Sequence, residues 1–200
     1  GADRVLTMDL HAAQVQGFFT KPVDHLYAIS VLFEYARRMR IVNDNLVVVS
    51  PDAGSAKRAR AYANMIGCNV AIGDKVRLGH DENPNALEII GDVKGKTCIM
   101  IDDMVDTAGS LCEGAKALMK LGAKDVYACC SHGILTDPAT QRIQDSCIKQ
   151  LVITNTIPLD PAKKHEKIVS ISLAPMLAEF IRCIYENEPV SNLFDKNWAN

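Results

Sequence analysis

The densest chemistry in the sequence is the run Asp102, Asp103, Met104, Val105, Asp106, Thr107, Ala108, Gly109, Ser110. It follows the apolar stretch Ile99, Met100, Ile101 and leads into a helical pattern. Thr107, Ala108, Gly109 and Ser110 are small enough for backbone N–H groups to close around a phosphate. The start of the following helix adds a favourable dipole. Three carboxylates beside an anion site suit a polyol, such as vicinal hydroxyls on a sugar, or a cation. A plainer reading stands beside that one: Asp102 and Asp103 cap the turn, and Asp106 N-caps the helix. Four further residues read modestly on their own. His11 follows an apolar run and Asp52 precedes a helical pattern as an N-cap candidate. Lys75 and Arg77 open a polar stretch, residues 74–85, where cations are ordinarily just solvated.

Other phosphate and catalytic motifs are excluded by inspection. No two glycines stand one residue apart, so there is no GxGxxG fingerprint. Gly95, Lys96 and Thr97 imitate the end of a Walker A loop, but its first glycine position holds Ile90. Neither GxSxG nor HExxH occurs.

The elements that must hold the acidic run are legible as periodicity. Continuous apolar runs at residues 4–8, 46–50, 69–72, 97–101, 126–130, 151–154 and 168–171 predict strands covered on both faces. Between them, Leu26, Ile29, Phe33 and Ala36 share a helical face. So do Ala59, Tyr62, Ala63 and Ile66 before Gly67, and Leu111, Ala115 and Leu118 before a C′ glycine, Gly122. A last helix starts near Pro175. Alternating strands and helices predict an α/β fold, a doubly wound parallel sheet flanked by helices. Ligands of such sheets bind at the carboxyl ends of the strands. The polar stretch 74–85 is expected to be a functional loop.

Composition narrows the partners. The 200 residues are 48% hydrophobic and 23% charged, with a net charge of −2, which is ordinary for a globular chain. No broad basic footprint predicts nucleic-acid binding, and no apolar run is long enough to cross a membrane. The seven cysteines are odd in number and sit mostly inside apolar runs, which predicts buried thiols in a reducing compartment. Cys129, Cys130 and His132 lack the second ligand pair a zinc site needs. Because Gly1 precedes what reads as a buried strand, the chain is expected to be a fragment or a processed product, and the lack of a leader is then uninformative.

The acid-acid turn IMIDDMVDTAGS resembles the phosphoribosyl pyrophosphate loop of type I phosphoribosyltransferases and their relatives. The stretches VLTMDLHAAQVQGFF, PVDHLYA, VVVSPDAGSAKRA, IIGDVKGKTCIMIDDMVDTAGSL and ITNTIPL together resemble the ribose-phosphate pyrophosphokinases, along nearly the whole chain and in order. The resemblance corresponds to the C-terminal two-thirds of such an enzyme. It implies a phosphoribosyltransferase-like fold. It also implies transfer of pyrophosphate from ATP to the 1-hydroxyl of ribose 5-phosphate, giving phosphoribosyl pyrophosphate and AMP for nucleotide biosynthesis.

The resemblance places roles on residues. Asp106, Thr107, Ala108, Gly109 and Ser110 would cradle the 5-phosphate, and Asp102 and Asp103 would bind the ribose hydroxyls. His11 and Asp52 match Mg²⁺ positions, and Lys75 and Arg77 match the KxR pattern of a mobile catalytic loop. Some positions depart from the pattern. The loop continues LGHDENPN, where Asp81 and Glu82 remove positive charge; Ser55 replaces a glycine; Ala13 replaces a serine near a regulatory phosphate position; Asp24 matches that region but could N-cap a helix. Residues 1–25 are expected to end an N-terminal phosphoribosyltransferase-like domain, 26–175 to form the C-terminal one, and 176–200 a helix and tail. Family members assemble from dimers into hexamers in the cytoplasm and draw ATP contacts largely from the upstream half. This chain is therefore expected to bind ribose 5-phosphate but to turn over ATP poorly. A non-catalytic subunit of the synthetase is the alternative. A base-consuming phosphoribosyltransferase would leave the DLHA and SPDAG motifs unexplained.

Overall fold

A strand with an unbroken apolar run must be covered on both faces, and Leu46–Ser50, apolar from Leu46 to Val49, is buried at all five positions. The computed structural model describes residues 1–75 and 87–193, apart from the side chains of Lys75, Leu87 and Asn192. In chain order the elements are β1 (Val5–Met8), β2 (Val23–Leu26), α1 (Ile29–Arg38), β3 (Leu46–Ser50), α2 (Ala56–Ile66), β4 (Asn69–Lys75) and β5 (Leu87–Ile90). They continue as β6 (Thr97–Val105), α3 (Gly109–Lys120), β7 (Asp125–Gly133), α4 (Ala139–Asp145), β8 (Leu151–Thr154), β9 (Ile168–Ile171) and α5 (Ala174–Tyr185). Short 3-10 turns lie at Ala13–Phe18, Pro161–Lys163 and Val190–Leu193.

Seven strands form one sheet in the order β5-β4-β3-β6-β7-β8-β9. All neighbours are parallel except β4 and β5. The strands β1 and β2 pair in parallel as a separate two-stranded sheet. Helices cover both faces of the large sheet, as a doubly wound fold requires. Met100, Leu111, Leu118, Leu135 and Ile143 pack in one core layer, and Leu26, Leu32, Val48, Ile99 and Phe180 in the other. Each fully buried side chain of that size stabilises the fold by about 1.5–3 kcal/mol.

Several sequence expectations are refined. Asp24 lies in β2 and does not cap a helix; its carboxylate takes two hydrogen bonds from Arg4, at 2.5 and 2.9 Å. The register of Val23 and Leu26 with Val5 and Met8 holds that segment extended, and α1 begins only at Ile29. Asp74 and Lys75 belong to β4, which pairs antiparallel with β5; the rest of the expected loop, Arg77 included, lies outside the described residues. The cysteines are free, but they are not uniformly buried: Cys98, Cys129, Cys130 and Cys183 are, whereas Cys147 is exposed. Gly67 and Gly122 do end α2 and α3 in the left-handed region, at φ 80° and 85°.

The topology creates one switch point. From β3 the chain moves through α2 to β4 on one side, and from β6 through α3 to β7 on the other. The crevice beyond the carboxyl ends of β3 and β6 is where an open α/β sheet takes its ligand.

Candidate active site

Both walls of this crevice come from chemistry-bearing residues. Immediately after β3, the Asp52 Oδ1 accepts a hydrogen bond from Ser55 N at 2.8 Å, closing a turn one residue before α2 starts. The expected capping role therefore falls on the approach to the helix, while the carboxylate itself stays exposed. Facing it, β6 runs four residues past Ile101 because β7 extends beside it, pairing Asp102 with Cys130 and Val105 with Gly133. The acids are thus carried out on a strand and not on a floppy loop.

The turn into α3 holds Ala108 at φ 59°, in the left-handed region that costs a non-glycine residue roughly 1 kcal/mol or more. A left-handed residue leading into a helix turns successive N–H groups toward one point, which makes an anion nest. A cavity of about 210 Å³ opens there, lined by Asp102, Asp106, Thr107, Ala108, Gly109 and Ser110 among others. Asp106 does not cap α3, whose N-cap is Ala108 with no side-chain bond. Arg142, from α4, braces the turn by donating to the Thr107 carbonyl at 3.0 Å. A Cβ added at Gly109 would meet only ordinary contacts, the nearest being Arg142 Nη1 at 3.6 Å. The packing of the protein itself does not demand glycine there.

Asp103 does not line that cavity. It is 3% exposed, and its Oδ2 lies 2.9 Å from His11 Nδ1 and 3.3 Å from Arg58 Nη1. His11 reaches it from the small sheet. Just before His11, Asp9 stands at φ 39° and its buried carboxylate accepts from Ala28 N at 2.8 Å and Ser131 Oγ at 2.5 Å. The His132 ring adds contacts of 3.1 Å to the carbonyls of Met8 and Asp9. A second cavity, of about 660 Å³, lies on this side and includes His11, His25, Lys57, Arg58 and Tyr62.

The two acids titrate in opposite directions. Burial, aided by a hydrogen bond to the Asp103 carboxylate, pushes Asp102 up to about 7. Burial alone would raise Asp103 too. Hydrogen bonds from Asp102 and His11, with the charge of Arg58, outweigh burial and hold Asp103 below the ordinary carboxylate range. Burial also pushes Cys129 up to about 12 and Cys130 well above its ordinary value, so neither thiol beside the cavity is a nucleophile.

Among the described residues no three His, Cys, Asp or Glu groups converge on one point. Asp52, electrostatically coupled to Asp102, and His11 thus offer a cation separate ligands, not a cage. The structure gathers Asp52, Asp102 and residues 106–110 at one crevice and joins His11 to Asp103. The backbone of Lys75 ends β4; Arg77 lies outside the described residues. Sequence reasoning missed Arg58, Arg142 and Asp9. Arg58 had a signal, because it sits four residues before Tyr62 and so borders the buried stripe of α2.

Residues 76–195 match the family model of the phosphoribosyl synthetase-associated domain, more than half of the chain. The chain belongs to the phosphoribosyl synthetase family. Relatives in this family include the ribose-phosphate pyrophosphokinase of Clostridium acetobutylicum, 52% identical over 199 residues, covering 98% of this chain and 61% of that protein. The enzyme of that name from Clostridium tetani is 53% identical with the same coverage. The chain spans about three fifths of the length of these curated relatives. Among solved structures, the phosphoribosylpyrophosphate synthetase of Mycobacterium smegmatis superposes with a TM-score of 0.85 at 40% identity, over 94% of this chain and 60% of that one. An orotate phosphoribosyltransferase from Aeropyrum pernix, 16% identical with a TM-score of 0.51 over 78% of this chain and 75% of its own, shares the fold. The α/β architecture of the phosphoribosyl synthetase family is thus the one found here, and no helix among the described residues is long and apolar enough to cross a membrane.

Proposed function

We propose that this chain is the ribose-5-phosphate-binding part of a ribose-phosphate pyrophosphokinase, which makes phosphoribosyl pyrophosphate and AMP from ribose 5-phosphate and ATP. The observation that carries the reading is the cavity between Asp102 and the α3 N-terminus, with an anion nest at one end and a carboxyl at the other. Backbone N–H groups of residues 106–110 hold the 5-phosphate. Asp102 accepts a hydrogen bond from a ribose hydroxyl, and Asp103 stands behind it. The 1-hydroxyl oxygen attacks the β-phosphorus of ATP as the bond to the α-phosphate oxygen breaks. The hydroxyl proton is lost and AMP departs. Lys75 and Arg77 neutralise charge on the transferring group.

Mg²⁺ is the implied cofactor. The exposed Asp52 carboxylate fits it, because that ion keeps several waters and binds through one or two carboxylates plus substrate phosphates. Asp52 and His11 would hold it, and when bound it offsets phosphate charge. Residues 1–25 would end an upstream domain, 26–175 form the binding domain and 176–200 a C-terminal helix and tail, although β2 and α5 run across those bounds and Leu26 and Phe180 share one core. Assembly into dimers and hexamers, a cytoplasmic location and ATP contacts from the upstream half belong to the same reading. The acidic substitutions Asp81 and Glu82 favour one alternative, a non-catalytic subunit of such an assembly.

Calorimetry with ribose 5-phosphate, beside an AMP-formation assay on this chain and on one with the upstream segment restored, tests the proposal. Ribose 5-phosphate should bind both chains, with rapid AMP release only from the longer. No binding to either would overturn the reading, and no turnover by the longer would leave the subunit alternative. In the longer chain, Lys75→Ala with Arg77→Ala should abolish synthesis and spare ribose-5-phosphate binding.

A further inference from the structure

Two consecutive acids at the end of one strand invite a shared task, yet their surroundings divide them. The Asp103 carboxylate is already engaged at both oxygens. Its Oδ1 accepts from Met104 N at 2.9 Å, and its Oδ2 meets His11 Nδ1 at 2.9 Å and Arg58 Nη1 at 3.3 Å. At 3% exposure it offers a sugar hydroxyl no approach. His11 is its opposite, with a side chain 72% exposed and held only at one ring nitrogen among the described contacts.

We infer that Asp103 is a positioning residue for His11: it fixes the imidazole as the Nδ1–H tautomer and leaves the Nε2 lone pair to the larger cavity that His11 lines, while the charge of Arg58 pairs with the carboxylate. The inference rests on the proposed metal role of His11 and deepens it. A carboxylate that meets only donors forces Nδ1 to donate, so the neutral ring has its lone pair on Nε2. Imidazoles that bind metal ordinarily have their other nitrogen pinned in this way, and loss of the pinning group costs about 10- to 100-fold in metal affinity. Arg58 suits the task because its guanidinium stays charged at any working pH. The backbone completes the aim, since Asp9 at φ 39° is clamped to Ala28 and Ser131 two residues before the ring.

Long-range ¹H–¹⁵N correlation spectra of the metal-free chain read the tautomer of His11 directly, with His11→Gln identifying its signals among the five histidines. The expected spectrum has the proton on Nδ1; a proton on Nε2 in the unaltered chain overturns the inference without any variant having to fold. Asp103→Ala should move the ring toward the Nε2–H form and weaken Mn²⁺ binding, followed by paramagnetic broadening at His11, by about 10- to 100-fold. Unchanged tautomer and Mn²⁺ affinity, with ribose-5-phosphate binding lost instead, would make Asp103 a sugar ligand and overturn it as well. If the unaltered chain binds no ribose 5-phosphate, the proposed function fails while the tautomer result stands on its own.

Discussion

Asp102 and Asp103 are neighbours in sequence and strangers in environment. Asp102 borders a small cavity walled by backbone and short side chains, and it holds its proton to about 7. Asp103 sits within a cluster of side-chain donors gathered from the small sheet and α2, and it gives its proton up early. Residue type therefore does not assign the role of a carboxyl; the donors folded around it do. The contrast extends to the two sides of the crevice. In the proposed function the loop side would recognise by backbone and shape, so it should suffer from added bulk. The His11 side would recognise by charged side chains carried on separate elements, so it should suffer from lost anchors.

The largest effect expected from that contrast is on the anchored side. Asp9→Ala leaves Ala28 N and Ser131 Oγ without their acceptor in a buried place, which should cost about 3 kcal/mol. Denaturant melts would show the loss, and ribose-5-phosphate affinity of the folded fraction should change little. Equal damage to both would erase the distinction between the two sides.

Asp102→Asn tests the loop side through pH. The unfolded carboxyl titrates at 3.8 and the folded one at about 7. The folded state therefore binds more protons between those values, and stability of the parent chain falls as pH rises through that window. The variant has no such slope. It should match the parent near pH 4 and exceed it by about 2 kcal/mol near pH 8, allowing for partial solvent exposure. Melting curves across that range that run parallel would refute the raised value.

The smallest effect on the fold and a clear one on binding is expected from Gly109→Ala. Its new methyl meets only ordinary contacts, so the melting temperature should barely move. Phosphate affinity should drop about tenfold, equivalent to about 1.4 kcal/mol. Undiminished affinity would mean that the nest is not the phosphate seat.

What the sequence revealed of all this depended on range. Leu46–Ser50, Leu151–Thr154 and Ile168–Ile171 were readable to the residue, because apolar runs and helical stripes are local signals. The acidic run and its small-residue turn stood out as an anion-site candidate for the same reason. The pairing of His11 with Asp103 spans 92 positions, and no local pattern encodes it. Strands β2 and β5 escaped notice because Val23–Leu26 is half polar and Leu87–Ile90 is a short antiparallel edge. The helix α4 was missed because only Ala139 and Ile143 mark its buried face.

The small sheet has a colloidal consequence. Among the described residues β1 and β2 pair as strands only with each other, although the Met8 carbonyl meets the His132 ring at 3.1 Å. Strand edges without a neighbouring strand are templates for another strand. Phe18, 88% exposed on the crossover between them, adds an apolar handle. The four-residue strands and the charged Arg4–Asp24 pair blunt that tendency without removing it. The segment that delivers His11 to the crevice therefore also carries a strand edge open to foreign strands, and its solubility and its chemistry share one short edge.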